Sequence, residues 1–384
     1  MKTRRTPLVL GVLALVVSCK GASKDPAANE SDAGAGAVAR APTTVTSATQ
    51  EPGIPRPGMA WIPPGTLRAG TPRGRAPRIP DEEMAGDPIE MGGFYIDLLP
   101  YPNESGAIPT SNVTREEAEQ ACTSKNKRLC SELEWERACK GPESTTYEYG
   151  DAYRAPSCGT GVTSEEGAKR PVGEHPQCKS GFGVSDMHGG AWEWTASSWG
   201  RSSKEASLAV LRGGNSAAGE LVGRCANAIG RSATKKNPTW GFRCCAGPKN
   251  AAEVSVALKG TPGLSPRSPE SMRATWNASV ETAAGAGSRI LRSWAWTPAA
   301  NEELAVLVTC ILQVSCSVVV GRIGDGKPEV LAASDAGWED PLPDVARIGD
   351  AKHIRLKALD RNGVFGREIT YVYGRVEIAD PKRK

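Results

Sequence analysis

Apolar and polar positions along the 384-residue chain change their rhythm several times, and each change predicts a different kind of structure. Leu8 to Val17 is an unbroken apolar run behind a basic opening at Lys2, Arg4 and Arg5. From Lys20 to about Pro57 large apolar residues almost disappear in favour of Ala, Ser, Thr, Gly and Pro. Such a stretch cannot bury enough surface to offset its ordering entropy, which predicts a flexible tether over 19–57. From Met59 the pattern becomes that of a folded domain. "MAWIPPGTLRAGT" alternates like a short strand interrupted by a turn at Pro63-Pro64-Gly65, and "GGFYIDLLPYP" reads as another strand. Two short helices follow. Thr114 with Glu117, and Ser131 with Glu134, have the spacing of capping boxes, each leading an apolar stripe: Ala118, Ala121 and Cys122 in one, Leu133, Trp135, Ala138 and Cys139 in the other. Glu132, Glu134 and Glu136 are expected to cap and solvate the second helix. Residues 141–248 are rich in turns, with brief strands at best.

A Pro/Ser-rich shift at "GTPGLSPRSPES" predicts a linker over 249–271. Beyond it "MRATWNASVE", "ELAVLVTCILQVSCSVVVGRIG", "HIRLKALD" and "REITYVYGRVEIAD" read as strands, so 272–384 is expected to be a small all-β domain, a sandwich.

Composition narrows the functional classes. The net charge of +4 is small and the basic residues are scattered, which gives no argument for nucleic-acid binding. The basic opening and the apolar run have the order of a secretory signal over 1–18, and the run is too short to span a bilayer as a permanent helix. The tetrapeptide Val16-Val17-Ser18-Cys19 resembles a bacterial lipobox, which implies lipidation of Cys19 and a cell-envelope location. Lys20 after the cysteine favours the outer membrane. Export makes disulfides the default for the ten remaining cysteines. Zinc is the competing use, weakly signalled: there is no paired C-x-x-C, and His175, His188 and His353 are isolated.

Between residues 59 and 248 the ordered motifs "KRLCSELEWERAC", "YEYGD", "RPVGEHPQCKSGFGVSDMHGGAWEWT", "LRGGN" and "WGFRCC" resemble the formylglycine-generating, or sulfatase-modifying-factor, family. The likeness covers half the chain. It implies an α+β fold: a loop-rich C-type-lectin-like domain, here followed by the all-β domain. Glycines that allow tight turns and tryptophans that supply burial suit such a fold.

The resemblance also implies chemistry. Active members carry two cysteines soon after the double glycine; these bind copper(I) and oxidise a sulfatase cysteine to formylglycine with dioxygen. Soft thiolates suit copper(I), and two are needed. In this chain Asn215, Ser216, Ala217, Ala218 and Gly219 occupy that stretch, and the first thiol is Cys225. The family pattern assigns Cys225 to a structural bridge with Cys139, and pairs Cys122 with Cys244. Cys130 is expected to pair with Cys245, an assignment interchangeable between the adjacent Cys244 and Cys245. Cys158 and Cys178 bracket a polar loop that a bridge would close. Cys310 and Cys316 would stand about 20 Å apart in one continuous strand; a turn at 311–315 would bring them together, and export favours that bridge. A family calcium site maps onto "GGAWEW", which keeps Glu193 but has Gly190 in place of an asparagine, and a second has Gly159 after Cys158. Glu193 is therefore the one calcium candidate, a doubtful one, and no cofactor is expected. Asp186 and His188 beside it read as loop residues.

The expectation is a lipid-anchored envelope protein whose family domain is catalytically silent and serves in binding or recognition of a protein or glycan. Asn215, Ser216, Trp192 and Arg212 line its candidate groove. The alternative is an active formylglycine-generating oxidase, with copper as its cofactor.

Overall fold

The computed structural model describes residues 55–201, 207–217, 219–312, 315–324, 326–334, 344–348, 355–359 and 365–379. Cys19, the signal segment and nearly all of the tether lie outside these residues.

The first domain is built from ten short strands and three short helices joined by long loops. In chain order they are β1 (Met59–Ile62), β2 (Gly65–Gly70), β3 (Ala85–Met91), β4 (Phe94–Asp97), α1 (Arg115–Thr123), β5 (Arg128–Leu129), α2 (Glu132–Lys140), α3 (Ser164–Ala168), β6 (Trp192–Ser198), β7 (Leu208–Arg212), β8 (Ala228–Ser232), β9 (Trp240–Phe242) and β10 (Cys244–Ala246). Two four-stranded sheets form the frame, in the orders β1-β4-β10-β5 and β8-β7-β6-β9, and β2 pairs with β3 as a separate ribbon. β4 is central, and all four of its residues are buried. β6 lies antiparallel to β7 and parallel to β9, which sets Trp192 and Glu193 beside Trp240 and Gly241.

Both sequence-read capping boxes form. Thr114 accepts a hydrogen bond from the backbone of Glu117, whose carboxylate accepts from the Thr114 N–H in return, and Ser131 and Glu134 do the same. α2 then does something its polar sequence does not announce: all nine of its residues are buried. Leu133, Trp135, Ala138 and Cys139 pack into a core with Ile62, Phe94, Ile96, Met187 and Cys225.

The C-terminal domain comprises β11 (Gly263–Arg267), α4 (Pro269–Ala284), β12 (Arg289–Ala299), β13 (Glu302–Ile311), β14 (Ser315–Gly324), β15 (Lys327–Ala333), β16 (Asp344–Ile348), β17 (Arg355–Leu359), β18 (Phe365–Val372) and β19 (Arg375–Ala379). β11–β15 make one antiparallel meander and β16–β19 another. Trp294, Trp296, Leu304, Val306, Val308, Val318 and Val320 of the first sheet pack with Ile369, Tyr371, Val376 and Ile378 of the second, as in a sandwich.

Two sequence expectations are corrected here. "MRATWNASVE", expected as a strand, lies in the helix α4. Its Thr, Trp and Val favour strands locally, but Met272, Trp276 and Val280 recur every four residues and form one apolar face. That face packs on Ile290, Ala305, Leu307 and Val319, on the side of the five-stranded sheet away from the sandwich core. The helix sits close enough that β14 needs a glycine: a Cβ on Gly321 would lie 2.5 Å from the Trp276 ring. Nor is 249–271 a free linker. Val254 and Val256 are buried in the core of the first domain. Gly263–Arg267 pairs with β12 and extends the meander to five strands.

The two domains touch through buried charge. Arg78 Nη1 donates to Glu302 Oε2 at 2.9 Å, with the two side chains 1% and 3% exposed. The Arg78 N–H also donates to the Tyr373 carbonyl, and the Asn301 N–H to Asp81.

Candidate functional site

The segment after β7 is where the sequence places any copper chemistry. Arg212 ends β7 with its guanidinium buried: Nη2 stands 3.0 Å from Glu132 Oε2 and 3.0 Å from Glu136 Oε2, and Nη1 donates to the Cys225 carbonyl. Arg201 donates to both oxygens of Glu132, while Lys140 and the Gly70 N–H reach Glu136. Burial alone would raise the Glu136 pKa, but the positive charges of Lys140 and Arg212 outweigh it and hold the carboxyl below its usual range. Glu134 is equally engaged, accepting from Arg128, Ser131 and Asn250. The three glutamates of α2 are therefore internal counter-ions, where sequence reasoning expected capping and solvation. Of these roles, Glu134 alone fills the capping one.

Beyond Arg212 the chain is covered. Ser216 Oγ donates to the Thr163 carbonyl at 2.7 Å, and the Gly161 N–H donates to the Ser216 carbonyl at 2.7 Å. These bonds lay α3 and the turn before it across the loop. A Cβ on Gly167 of α3 would fall 1.9 Å from Ser216 Oγ, so the fit depends on that glycine. Trp192 packs with Trp194, Leu211 and Phe242 in a core. The expected groove of Asn215, Ser216, Trp192 and Arg212 is thus not open. Three of the four are buried, and only Asn215 reaches solvent. The physical reason is that the buried carboxylates take Arg212 inward while α3 roofs the serine.

The cysteines of the described residues are joined as Cys122–Cys244, Cys130–Cys245, Cys139–Cys225, Cys158–Cys178 and Cys310–Cys316. The first two bind α1 and the start of α2 to β10. The third fixes the chain following the Arg212 loop to α2. Cys310 and Cys316 face each other across the β13–β14 hairpin. A copper(I) pair needs two thiolates in the Arg212 loop; Asn215, Ser216 and Ala217 supply none, and the sulfur of Cys225 is engaged with Cys139. These residues do not fit that ion.

Glu193, the calcium candidate, is also engaged. Arg243 Nε and Trp135 Nε1 both donate to its Oε2, at 2.6 and 2.7 Å, and Arg243 Nη2 donates to Oε1 at 2.8 Å. Burial works against the charge of Arg243, but the Glu193 carboxylate outweighs it and keeps the guanidinium protonated. A fixed cation already stands against this carboxylate, and Gly190 and Gly159 offer no side-chain oxygen, so the residues do not fit calcium. Asp186, on the same loop with φ +52°, receives the Gly173 N–H and is pushed up to about 6 by burial, with Glu148 and Glu193 adding to the rise.

A different cluster was missed by sequence reasoning. Glu148, Cys158, Cys178 and His188 bring one ligand atom each to within 4.8 Å of one another, all buried. They come from separate loops, so no spacing motif announces them. The one available hint was that His188 follows Asp186-Met187 directly after the loop that Cys158 and Cys178 bracket.

A cleft of about 960 Å3 lies elsewhere: Arg68, Arg73, Arg75, Asp87, Lys140 and Glu143 line it from the first domain, Lys327 and Glu329 from the second.

Residues 100–247 match the family described as "Sulfatase-modifying factor enzyme 1-like domain". Hercynine oxygenase of Mycolicibacterium thermoresistibile is 36% identical over 94 residues, 23% of this chain and 21% of the relative. "Inactive C-alpha-formylglycine-generating enzyme 2" of Bos taurus is 27% identical over 155 residues, 36% of this chain and 50% of the relative. Formylglycine-generating enzyme of Mycobacterium tuberculosis is 30% identical over 148 residues, 35% of this chain and 40% of the relative. The chain thus spans half the length, or less, of these curated relatives. Among solved structures, PvdO from Pseudomonas aeruginosa aligns with a TM-score of 0.40 at 19% identity, covering 49% of this chain and 93% of that one.

Proposed function

We propose, from the premise that residues 100–247 are a sulfatase-modifying-factor domain, that this domain is catalytically silent and serves in binding or recognition on a lipid-anchored cell-envelope protein. One observation carries the reading: Cys225, the first thiol-bearing residue after the Arg212 loop, is bonded to Cys139. Formylglycine formation by a copper(I) dithiolate needs two free sulfurs at one point, because soft thiolates are the ligands that would hold that ion. The roof of α3 over Ser216 supports the same reading, since a substrate peptide would have to displace it. The relatives include a protein described as inactive as well as one described as generating formylglycine, so the domain is compatible with either state.

The ligand is a protein or glycan segment, and the wide charged cleft between the domains is a surface large enough to receive it. No helix among the described residues is long and apolar enough to cross a membrane. Attachment through Cys19 rests on the lipobox resemblance, with the outer membrane as the location.

The test is an oxidation assay. The purified protein, loaded with copper(I), is mixed with a cysteine-containing sulfatase peptide in air, and the peptide mass is followed. No formylglycine is expected, and turnover would overturn the proposal. Labelling of cells with an alkyne fatty acid tests the anchor: the label is expected on the wild type and lost in Cys19→Ser.

A further inference from the structure

Glu148, Cys158, Cys178 and His188 form an unusual buried group. Glu148 Oε1 faces Cys178 Sγ at 2.6 Å and Cys158 Sγ at 3.0 Å, and the same oxygen lies 2.9 Å from His188 Nδ1. The two sulfurs are bonded to each other. Neither carries a proton to donate, so a carboxylate oxygen is pressed against two electron-rich atoms with the imidazole as its one polar partner at that end. The remaining oxygen, Oε2, accepts the Met187 N–H, which fixes the carboxylate plane. A cation at the centre of these four atoms would turn every one of these contacts into a favourable one.

We propose that Glu148, Cys158, Cys178 and His188 are a redox-gated site for a divalent cation of the zinc class, closed while Cys158–Cys178 is a disulfide and open when both sulfurs are thiolates. This inference goes beyond the proposed function and does not depend on it.

The donor set fits. Two sulfurs, one imidazole nitrogen and one carboxylate oxygen are the ligands that zinc accepts in four-coordinate sites, at about 2.3, 2.0 and 2.0 Å respectively. Such bond lengths place ligand atoms about 3.5 Å from each other around a tetrahedral centre. The group already lies within 4.8 Å, so parting the two sulfurs is the main movement required. The Glu148 carboxylate can only accept, so it fixes the proton on His188 Nδ1 while the disulfide is closed; a cation bound at Nδ1 would move that proton to Nε2, which has no hydrogen-bond partner among the described residues. The Met187 N–H on Glu148 supplies the outer support that fixes a ligating carboxylate. A cleft of about 520 Å3, lined in part by Glu148, Tyr149, Arg154, Gln177 and Lys179, lies beside the cluster. A cavity of about 30 Å3 touches Cys158 and His188 from the other side.

The gate is thiol–disulfide exchange. A dithiol reductant attacks one sulfur, the Cys158–Cys178 bond breaks, and a mixed disulfide forms. Its second thiol then resolves the mixed disulfide. Two electrons have passed to the protein, which holds two thiols, while the reductant has become a disulfide. Binding of the cation releases both thiol protons. The bridge closes a loop between residues only 20 apart, within which α3 lies. Its opening leaves the three longer bridges of the first domain in place.

The experiment uses cobalt(II) as the spectroscopic probe for zinc on the full chain. The protein is treated anaerobically with a phosphine reductant, and differential alkylation with mass spectrometry identifies the bridges opened. We expect one cobalt per chain, with a thiolate-to-cobalt charge-transfer band and the ligand-field bands of a tetrahedral ion. Affinity should fall about ten-fold or more in His188→Ala and in Glu148→Gln. The charge-transfer band should be missing in Cys158→Ser/Cys178→Ser and in the oxidised protein. An undiminished band in the double serine variant, or unchanged affinity in both the His188 and Glu148 variants, overturns the proposal. Should reduction cost the fold, read by circular dichroism, the redox step is bypassed with Cys158→Asp/Cys178→Asp, the other bridges being formed. That variant is expected to bind zinc in a calorimeter and to lose about ten-fold or more when His188→Ala is added. Failure of the aspartate variant to bind zinc also overturns the proposal.

Discussion

Cys225 is bonded to Cys139, so the first cysteine after the Arg212 loop is held on the last turn of a helix that is buried throughout. All ten cysteines among the described residues are engaged in this way. Alkylation of the unreduced protein in denaturant is therefore expected to label none of them; a labelled Cys225 would reopen the oxidase alternative. Replacing the pair by alanine removes a bridge spanning 86 residues, which should cost about 4 kcal/mol in urea unfolding.

Arg243 and Glu193 predict a second outcome. Their pair is buried and carries further bonds from Arg243 to the carbonyls of Asp97, Ser185 and Asp186. Arg243→Met leaves the Glu193 carboxylate in the interior without its counter-ion, with only the Trp135 N–H upon it, and should destabilise by about 3–5 kcal/mol. Adding Glu193→Gln removes that orphan charge, and the double variant is expected to be more stable than Arg243→Met alone. Adding calcium to the wild-type protein should leave the melting temperature unchanged; a calcium-dependent rise there would contradict the assignment of Glu193 to Arg243.

Acid sensitivity should appear at Glu134, as at Glu136. Burial raises the Glu134 pKa, but Arg128 together with the N–H groups of Ser131 and Asn250 outweighs burial and holds the carboxyl below the usual carboxylate range. A depressed folded-state pKa means that the carboxylate stabilises the fold above the unfolded value, and that this contribution disappears as the pH falls through the folded one. The unfolding free energy is expected to be level from pH 7 to about 5 on this account and to decline below about 4.5. Glu134→Gln should lose about 2 kcal/mol at pH 7 and flatten the acid limb. An acid limb as steep in the variant as in the wild type would assign the effect to other carboxylates.

The roof over Ser216 can be lifted by one methyl group. Gly167→Ala puts a Cβ into the Ser216 hydroxyl, and overpacking of this kind costs about 1–3 kcal/mol. Hydrogen exchange at residues 159–168 and 213–217 should quicken while α2 stays protected. Gly167→Ala with Ser216→Gly removes the clash and should restore part of the protection. If exchange is unchanged in Gly167→Ala, α3 does not bear on the loop.

Trp276 tests the helix that the sequence concealed. Trp276→Ala empties the contact between α4 and the five-stranded sheet and should cost about 3–5 kcal/mol. Gly321→Ala attacks the same contact from the strand side and should also destabilise, since its Cβ would meet both Trp276 and the Glu329 carbonyl at 2.5 Å.

How much of this was legible depended on whether the information was local. Thr114/Glu117 and Ser131/Glu134 were readable because a capping box is written within four residues and uses the backbone it caps. α4 was misread because Thr275, Trp276 and Val280 each favour strands, and the four-residue spacing that overrides them matters only once a sheet lies against it. The fate of α2 was hidden for a related reason. Glu132, Glu134 and Glu136 look solvated until Arg201 and Arg212 arrive from later in the chain and Arg128 and Lys140 turn inward from either end of the helix. At the site, the lack of thiols after Arg212 could be read directly, whereas the roof of α3 could not, because it depends on a hydroxyl meeting a carbonyl 53 residues away. Glu148, Cys158, Cys178 and His188 meet only through loop geometry, and loops of this length leave no periodic trace.

The Arg78–Glu302 pair sets a limit on how this molecule can be taken apart. Each half supplies one charge to a place that water does not reach, so neither half owns a finished surface there. A protease nicking the segment between the domains would leave two fragments that still travel together through a column. A gene trimmed at the same point would yield two products, each with a naked ion on a newly exposed face and a tendency to aggregate. The two domains share one interior at this point: loss of Arg78 strands a buried carboxylate in the other half, whatever ligand each domain meets.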